Sequence, residues 1–389
     1  MDTYDVVVIG GGPAGSMAAL TAAEQGLTAL LVERDQTIGS PVRCAEGVDE
    51  KGLSEFFTPR PEWIASEITA YCLVAPDGSK VMMDTQGYRG YILERLVFDR
   101  MVAEKAAERG ARILTGVEAT GLSPWENGFR TVGLSNQEKK WEVRAKVVVA
   151  ADGVESRAAR WAGLATSAGV HDMETCAQVT LAGIDFEPKT FRLYFTNRFA
   201  PGGYAWLFPK GTRTANVGLG ISGDYSSKRT PTAYLEDFLA AHFPGASVVS
   251  RTVGGVPCSG GIQRTFTDGL MVCGDAAHMA NPITGGGIIN GLIAGRFAGE
   301  TASEALKKGA AGSRSLEVYE KRCMDRFGVM NRRFHKLKEG IFGIPDDRLN
   351  DLAREMLGVP LDKRTPIRVL RSAVMHQPQL LLLLAKVIL

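Results

Sequence analysis

Three short segments carry residues whose types and spacing can do chemistry. In DVVVIGGGPAGSMAALTAAEQGLTALLVERD (5–35), Gly10, Gly12 and Gly15 fall at the GxGxxG spacing, and Glu33 follows eighteen residues after Gly15. The first glycine permits a tight turn and the second lets the backbone approach a pyrophosphate. The third lets a helix pack close to a strand, and an acid at Glu33 can accept hydrogen bonds from a ribose. PVRCAEGV (41–48) sets Cys44 between Arg43 and Glu46, in a chain with only six cysteines. PGGYAWLFPKG (201–211) alternates Tyr204, Trp206 and Phe208 with smaller residues, so on a strand the three rings share one face.

These residues need elements to hold them. The run Val6–Ile9 reads as a strand ending at Gly10, Pro13–Gln25 as an alanine-rich helix broken by Gly26, and Ala29–Val32 as a second strand. The helix N-terminus would turn its free N–H groups and positive dipole end toward the phosphates. GLMVCGDAAHMANPITGGGIINGLIAGRFAGE (269–300) reads as strand, Gly274-Asp275, loop, a glycine cluster through Gly286 and Gly287, and a long small-residue helix. AKVVVAADGVESRAARWAGL (145–164) is a strand running into Asp152-Gly153. The Gly-Asp pair resembles a second flavin fingerprint, in which the aspartate holds the ribityl chain. The Asp-Gly pair resembles the DG motif of the para-hydroxybenzoate hydroxylase group of flavoproteins. Three motifs in that order imply FAD. GLGISG (218–223) also spells GxGxxG, but no helical pattern follows it, so it reads as a glycine-tolerant strand.

The expected fold is α/β: a Rossmann-type FAD-binding domain with an inserted antiparallel-sheet substrate domain and a helical C-terminal region. The FAD domain is expected in three pieces, 1–50, 90–165 and 262–330, with 51–89 and 166–261 as the substrate domain and 331–389 as the helical part. The insert is strand-rich by alternation, in TCAQVTLAGIDF, TFRLYFTN, GGYAWLFPKG and TANVGLGIS.

With those residues in place, the chain resembles the geranylgeranyl reductases of the archaeal digeranylgeranylglycerophospholipid reductase kind. The resemblance covers nearly the whole length and rests on the N-terminal fingerprint, PVRCAEGV, GYILERLVFDR (90–100), PGGYAWLFPKG, VGLGI and GDAAHMANPITGGGI. It implies a flavoenzyme that saturates isoprenoid double bonds. It also implies FAD contacts at Ala14, Glu33, Cys44, Ala45, Gly47, Arg95, Ala119, Asp275, Gly287 and Ile288. These join Gly10, Gly12, Gly15, Asp152 and Gly286 from the motifs, while Arg43 pairs either with Glu46 or with the flavin phosphates.

Saturating a trisubstituted alkene requires a hydride and a proton on adjacent carbons, and protonation builds positive charge on the tertiary carbon. An aromatic wall of Tyr204, Trp206 and Phe208 would tolerate that charge. Cys44 either lies against the flavin ring and shapes or protonates the pocket, or fills space while its backbone binds. Tyr204 is a candidate proton relay, and His278 reads as a structural partner rather than a base. Rival readings are an aromatic hydroxylase, a reductase of menaquinone or geranylgeranyl diphosphate side chains, and an electron-transfer subunit without chemistry of its own.

The six cysteines form no CxxC pair or metal-ligand spacing, so free thiols in a reducing cytoplasm and no metal are expected. No NAD(P) domain is evident, and electrons would come from an external donor: NAD(P)H, a reduced deazaflavin or ferredoxin. From Lys307 onward 17 Lys and Arg face 9 Asp and Glu, against a net charge of +2 overall. That basic tail suits an anionic partner such as a phospholipid surface, an acidic protein or a phosphorylated substrate; a prenyl lipid substrate and no nucleic acid are expected. The closing QLLLLLAKVIL is too short for the roughly 20 residues of a membrane span and suggests peripheral contact with the inner face of the cell membrane.

Overall fold

The computed structural model describes residues 1–309, 311–365, 368–369 and 371–373. The leucine run and His376 lie outside them. The chain forms two compact units, one of Met1–Val42, Arg95–Ala168 and Pro257–Arg332, the other of Arg43–Glu94, Gly169–Val256 and the described residues from Arg333 on. The break after Val42 places PVRCAEGV's cysteine in the second unit, whereas the sequence reading ran the first segment to residue 50. The C-terminal helices cluster with the second unit instead of forming a third.

The first unit is built on a mostly parallel sheet. Thr3–Ile9 lies between Ala29–Glu33 and Lys140–Ala150, and these are flanked by Arg112–Thr115 and Leu270–Val272, all pairing parallel. Val6, Val7, Val8 and Val147–Val149 have no exposed surface, as expected where helices cover both faces and strands read as unbroken apolar runs. The alanines of helix Pro13–Glu24 serve close packing. Helix Ile288–Lys307 crosses it so closely that a β-carbon at Gly295 would stand 2.2 Å from the Ala14 carbonyl oxygen.

The second unit holds a seven-stranded sheet in the order Ser247–Pro257, Met173–Ala182, Thr214–Ser222, Tyr204–Pro209, Thr190–Tyr194, Ala70–Val74, Lys80–Met83. Residues 218–222 of the GLGISG stretch lie in this sheet, as expected for a strand, and Gly223 opens the short helix Gly223–Ser226. Alternation divides its faces. Ala177, Val179, Leu207, Val217 and Leu219 pack with Leu235, Phe238 and Leu239 of helix Pro231–His242. The other face carries Cys176 and Gln178, Gly218 and Gly220, Tyr204, Trp206 and Phe208, with Trp206 and Gln178 both in register with Gly218. Helix Asp346–Leu357 places Ala353 and Met356 against Val81 and Met83 at the far edge.

Candidate active site

In the first unit the three glycine-rich motifs converge. A β-carbon at Gly15 would stand 1.9 Å from the Gly10 carbonyl oxygen, and one at Gly10 would stand 2.3 Å from that of Ala151, beside Asp152. Gly10 is also at φ +105°, a region open to glycine. Gly274 abuts Ala14, with its added β-carbon 3.2 Å from that of Ala14. Gly12, by contrast, faces open space, and the helix it precedes has no side-chain cap. A bare backbone beside free helix N–H groups is what a pyrophosphate needs.

The acids fit the same ligand. Glu33 accepts from the Gly11 amide at 2.7 Å and the Asp35 amide at 2.9 Å, which fixes its carboxylate at the strand end with lone pairs left for a ribose. Asp152 accepts from the Ala158 amide through Oδ2, while its buried Oδ1 has no hydrogen-bond partner among the described residues. Burial pushes the Asp152 carboxyl above its ordinary range. It also raises that of Asp275, against the pull of the Arg95 guanidinium. Arg95 is itself held by Asp99 through hydrogen bonds of 2.8 and 2.6 Å. A β-carbon at Gly287 would meet Asp275 Oδ1 at 3.3 Å, so the uncapped start of helix Ile288–Lys307 sits beside that carboxylate. Strand Glu118–Leu122, with Ala119, follows Val117, whose amide donates to the Glu33 carbonyl. Gly10, Gly12, Ala14, Gly15, Glu33, Arg95, Ala119, Asp152, Asp275, Gly286, Gly287 and Ile288 thus all belong to this unit, and the donor set suits FAD.

The second unit brings the two remaining motifs together. The Cys44 carbonyl accepts from Gln178 Nε2 at 3.0 Å, and Gln178 Oε1 accepts from the Trp206 indole N–H at 3.0 Å. Glu46 has φ +73°, and its amide donates to the Cys44 sulfur at 3.2 Å. Its buried carboxylate accepts from Lys210 Nζ and Asn216 Nδ2, both at 2.7 Å, and Lys210 also reaches Glu94 at 2.9 Å. A β-carbon at Gly47 would come 3.1 Å from the Phe208 ring. Residues 43–47 are therefore laid on the aromatic face of the sheet, where the rings of Tyr71, Phe191, Phe208, Trp206, Tyr204 and Phe342 follow one another at 5.4–6.4 Å. Arg43 is exposed, and Glu46 takes Lys210 as its ionic partner.

Sequence reading missed Gln178, Lys210 and Asn216. A glutamine or asparagine on a strand carries no chemical signal, and Lys210 reads as an ordinary turn residue after Pro209. His278 is buried, with Nδ1 2.7 Å from Ser259 Oγ and Nε2 3.0 Å from the Thr166 carbonyl oxygen.

A Rossmann-type sheet with GxGxxG, Asp-Gly and Gly-Asp turns meeting at one helix N-terminus defines an FAD-binding flavoprotein, and residues 5–49 match the family model described as FAD binding domain. Residues 172–256 match the geranylgeranyl reductase catalytic domain. Over 383 residues the chain is 42% identical to the digeranylgeranylglycerophospholipid reductase of Methanocella arvoryzae, covering 97% of each. The crystal structure of a geranylgeranyl bacteriochlorophyll reductase-like protein from Thermoplasma acidophilum superposes over the whole of both chains, with a TM-score of 0.93 and 33% identity. The p-nitrophenol 4-monooxygenase of Pseudomonas putida shares the fold at 19% identity and a TM-score of 0.75, over 98% of this chain and 99% of that one. The chain belongs to the digeranylgeranylglycerophospholipid reductase family.

Proposed function

We propose that this protein is an FAD-dependent reductase that saturates the C=C bonds of geranylgeranyl chains on an isoprenoid membrane-lipid precursor. The observation that carries the reading is the docking of residues 43–47 on the aromatic face, which couples two of the segments on which the resemblance to this family rests. Reduced FAD supplies a hydride when bound. The chain's own residues bind and orient the prenyl chain, exclude water and deliver the proton. Tyr204, Trp206 and Phe208 offer ring faces to a chain with no polar group and to positive charge developing on its tertiary carbon. Cys44 gives its thiol proton to that alkene and regains one from solvent, with Tyr204 as relay.

The electrons come from an external donor, NAD(P)H, a reduced deazaflavin or ferredoxin. No helix among the described residues is long and apolar enough to cross a membrane. The basic C-terminal residues, with Arg332, Arg333 and Lys336 exposed, support peripheral contact with an anionic bilayer at the inner face of the cell membrane. Salt-sensitive co-sedimentation with anionic vesicles supports that contact, and its absence removes it.

The test of function is anaerobic. Purified protein carrying FAD is reduced with dithionite and mixed with a digeranylgeranylglycerophospholipid, and products are read by mass spectrometry. Gains in steps of two hydrogens, with flavin reoxidised in proportion, support the reading. No gain with the lipid, but oxygen-dependent NAD(P)H oxidation with a phenol, would move the protein to the hydroxylases.

A further inference from the structure

We infer that Gln178 is a positioning residue for this reaction, a single amide that sets both the Cys44 loop and the Trp206 indole. This rests on the reading of Cys44 and Trp206 as groups at the substrate. Gln178 is only 7% exposed and lies on strand Met173–Ala182, in register with Gly218, as Trp206 is from the other side. The absence of a side chain at Gly218 leaves the glutamine and the indole room to meet over it.

The chemistry of the two partners fixes the amide's orientation. An indole N–H can only donate and a backbone carbonyl can only accept. The side-chain oxygen must therefore face Trp206 and the nitrogen must face Cys44; a flipped amide would lose both hydrogen bonds. No other side chain of this length serves both. Glutamate keeps the acceptor for Trp206 but opposes a carboxylate to the Cys44 carbonyl. Methionine fills the volume and removes both hydrogen bonds.

The loop has a second anchor that does not involve Gln178. Glu46 is held by Lys210 and Asn216, and Asn216 Oδ1 in turn accepts from Thr180. Loss of Gln178 therefore leaves residues 43–47 docked through Glu46, and what shifts is the Cys44 peptide, with the direction of its thiol, and the tilt of the Trp206 ring. A small displacement of a group meant to meet one alkene carbon is costly in rate and cheap in binding.

The experiment compares full-length, FAD-loaded Gln178→Met, Gln178→Glu, Cys44→Ala and Trp206→Phe. Turnover of digeranylgeranylglycerophospholipid is followed anaerobically, Cys44 alkylation by iodoacetamide through peptide mass, and the indole environment by tryptophan emission. For Gln178→Met, kcat should fall about 10- to 100-fold with KM changed less than about 3-fold. FAD content should be retained, Cys44 alkylation altered and emission shifted. Gln178→Glu should keep the wild-type emission yet show the altered alkylation and slow turnover. Wild-type kcat and alkylation in Gln178→Met, while Cys44→Ala is slow, would overturn the positioning role. So would a loss of kcat that merely tracks FAD loss and a lowered melting temperature with alkylation unchanged. Wild-type turnover in both Cys44→Ala and Trp206→Phe would instead overturn the reading of the site, and the positioning role with it.

Discussion

Gly218 lies directly under the indole of Trp206: a β-carbon at Gly218 would stand 2.6 Å from Trp206 Cζ2 and 2.8 Å from the Ala177 carbonyl oxygen. The ring fits there because its cross-strand partner has no side chain. The first glycine of the stretch that spells a dinucleotide fingerprint in the sequence is thus the floor under an aromatic side chain. In Gly218→Ala the indole must lift or the strands must part, at an expected cost of about 1–3 kcal/mol for an overpacked contact. We expect the variant to bind FAD normally and to lose turnover of prenyl lipid at least about 10-fold. Urea unfolding, flavin content and anaerobic turnover measured on one preparation check this.

Glu46 and Lys210 make the other anchor of the loop, with side chains 4% and 12% exposed. Removing one partner of so buried a pair leaves a buried carboxylate that has lost its cation. Lys210→Met is expected to destabilise the protein by about 3 kcal/mol or more, whereas Glu46→Gln combined with Lys210→Met should recover a large part of that loss. Denaturant midpoints of the two single variants and the double variant test it; strict additivity would deny the coupling.

What was legible in the sequence was what the chain encodes locally. Val6–Ile9, Gly10, Gly12, Gly15 and Glu33 lie within one strand–helix–strand unit, and their spacing alone carries the geometry. The shared face of Tyr204, Trp206 and Phe208 followed from the period of a strand. The partners of those residues were not legible, because they come from strand register. Gln178 meets Trp206 only because both pair with Gly218, and nothing in either segment states that register. Likewise Arg43 is near Glu46 in sequence, but the left-handed backbone at Glu46 accompanies a carboxylate bound to Lys210, 164 residues away.

The FAD cradle makes its own demand at Gly15, where an added β-carbon would collide with the Gly10 carbonyl at 1.9 Å. No rotamer change relieves a clash with backbone. Gly15→Val should separate the helix from the turn and leave the protein with about a tenth or less of the wild-type flavin. Visible absorbance of the purified variant reads this directly, and circular dichroism checks that the sheet remains.

His171 carries a pH dependence that can be isolated. Its Nδ1 is 2.6 Å from Asp224 and its Nε2 is 2.9 Å from Glu339. The hydrogen bond to Asp224 raises its pKa above the ordinary histidine value, against the opposing effect of burial, with the Glu339 charge helping and the Lys338 ammonium opposing. The folded state therefore binds the proton more tightly than the unfolded chain does. The stabilisation is full below the unfolded value of about 6.5 and disappears as pH rises through the folded value. Since the side chain is 48% exposed, solvent and salt screen the effect, which should be small. Wild type should exceed His171→Gln in urea midpoint at about pH 6, and the gap should close by about pH 9 and shrink in high salt. A gap that is constant across that range would mean that His171 stabilises the unit by packing, and that its contacts with Asp224 and Glu339 carry no net charge interaction.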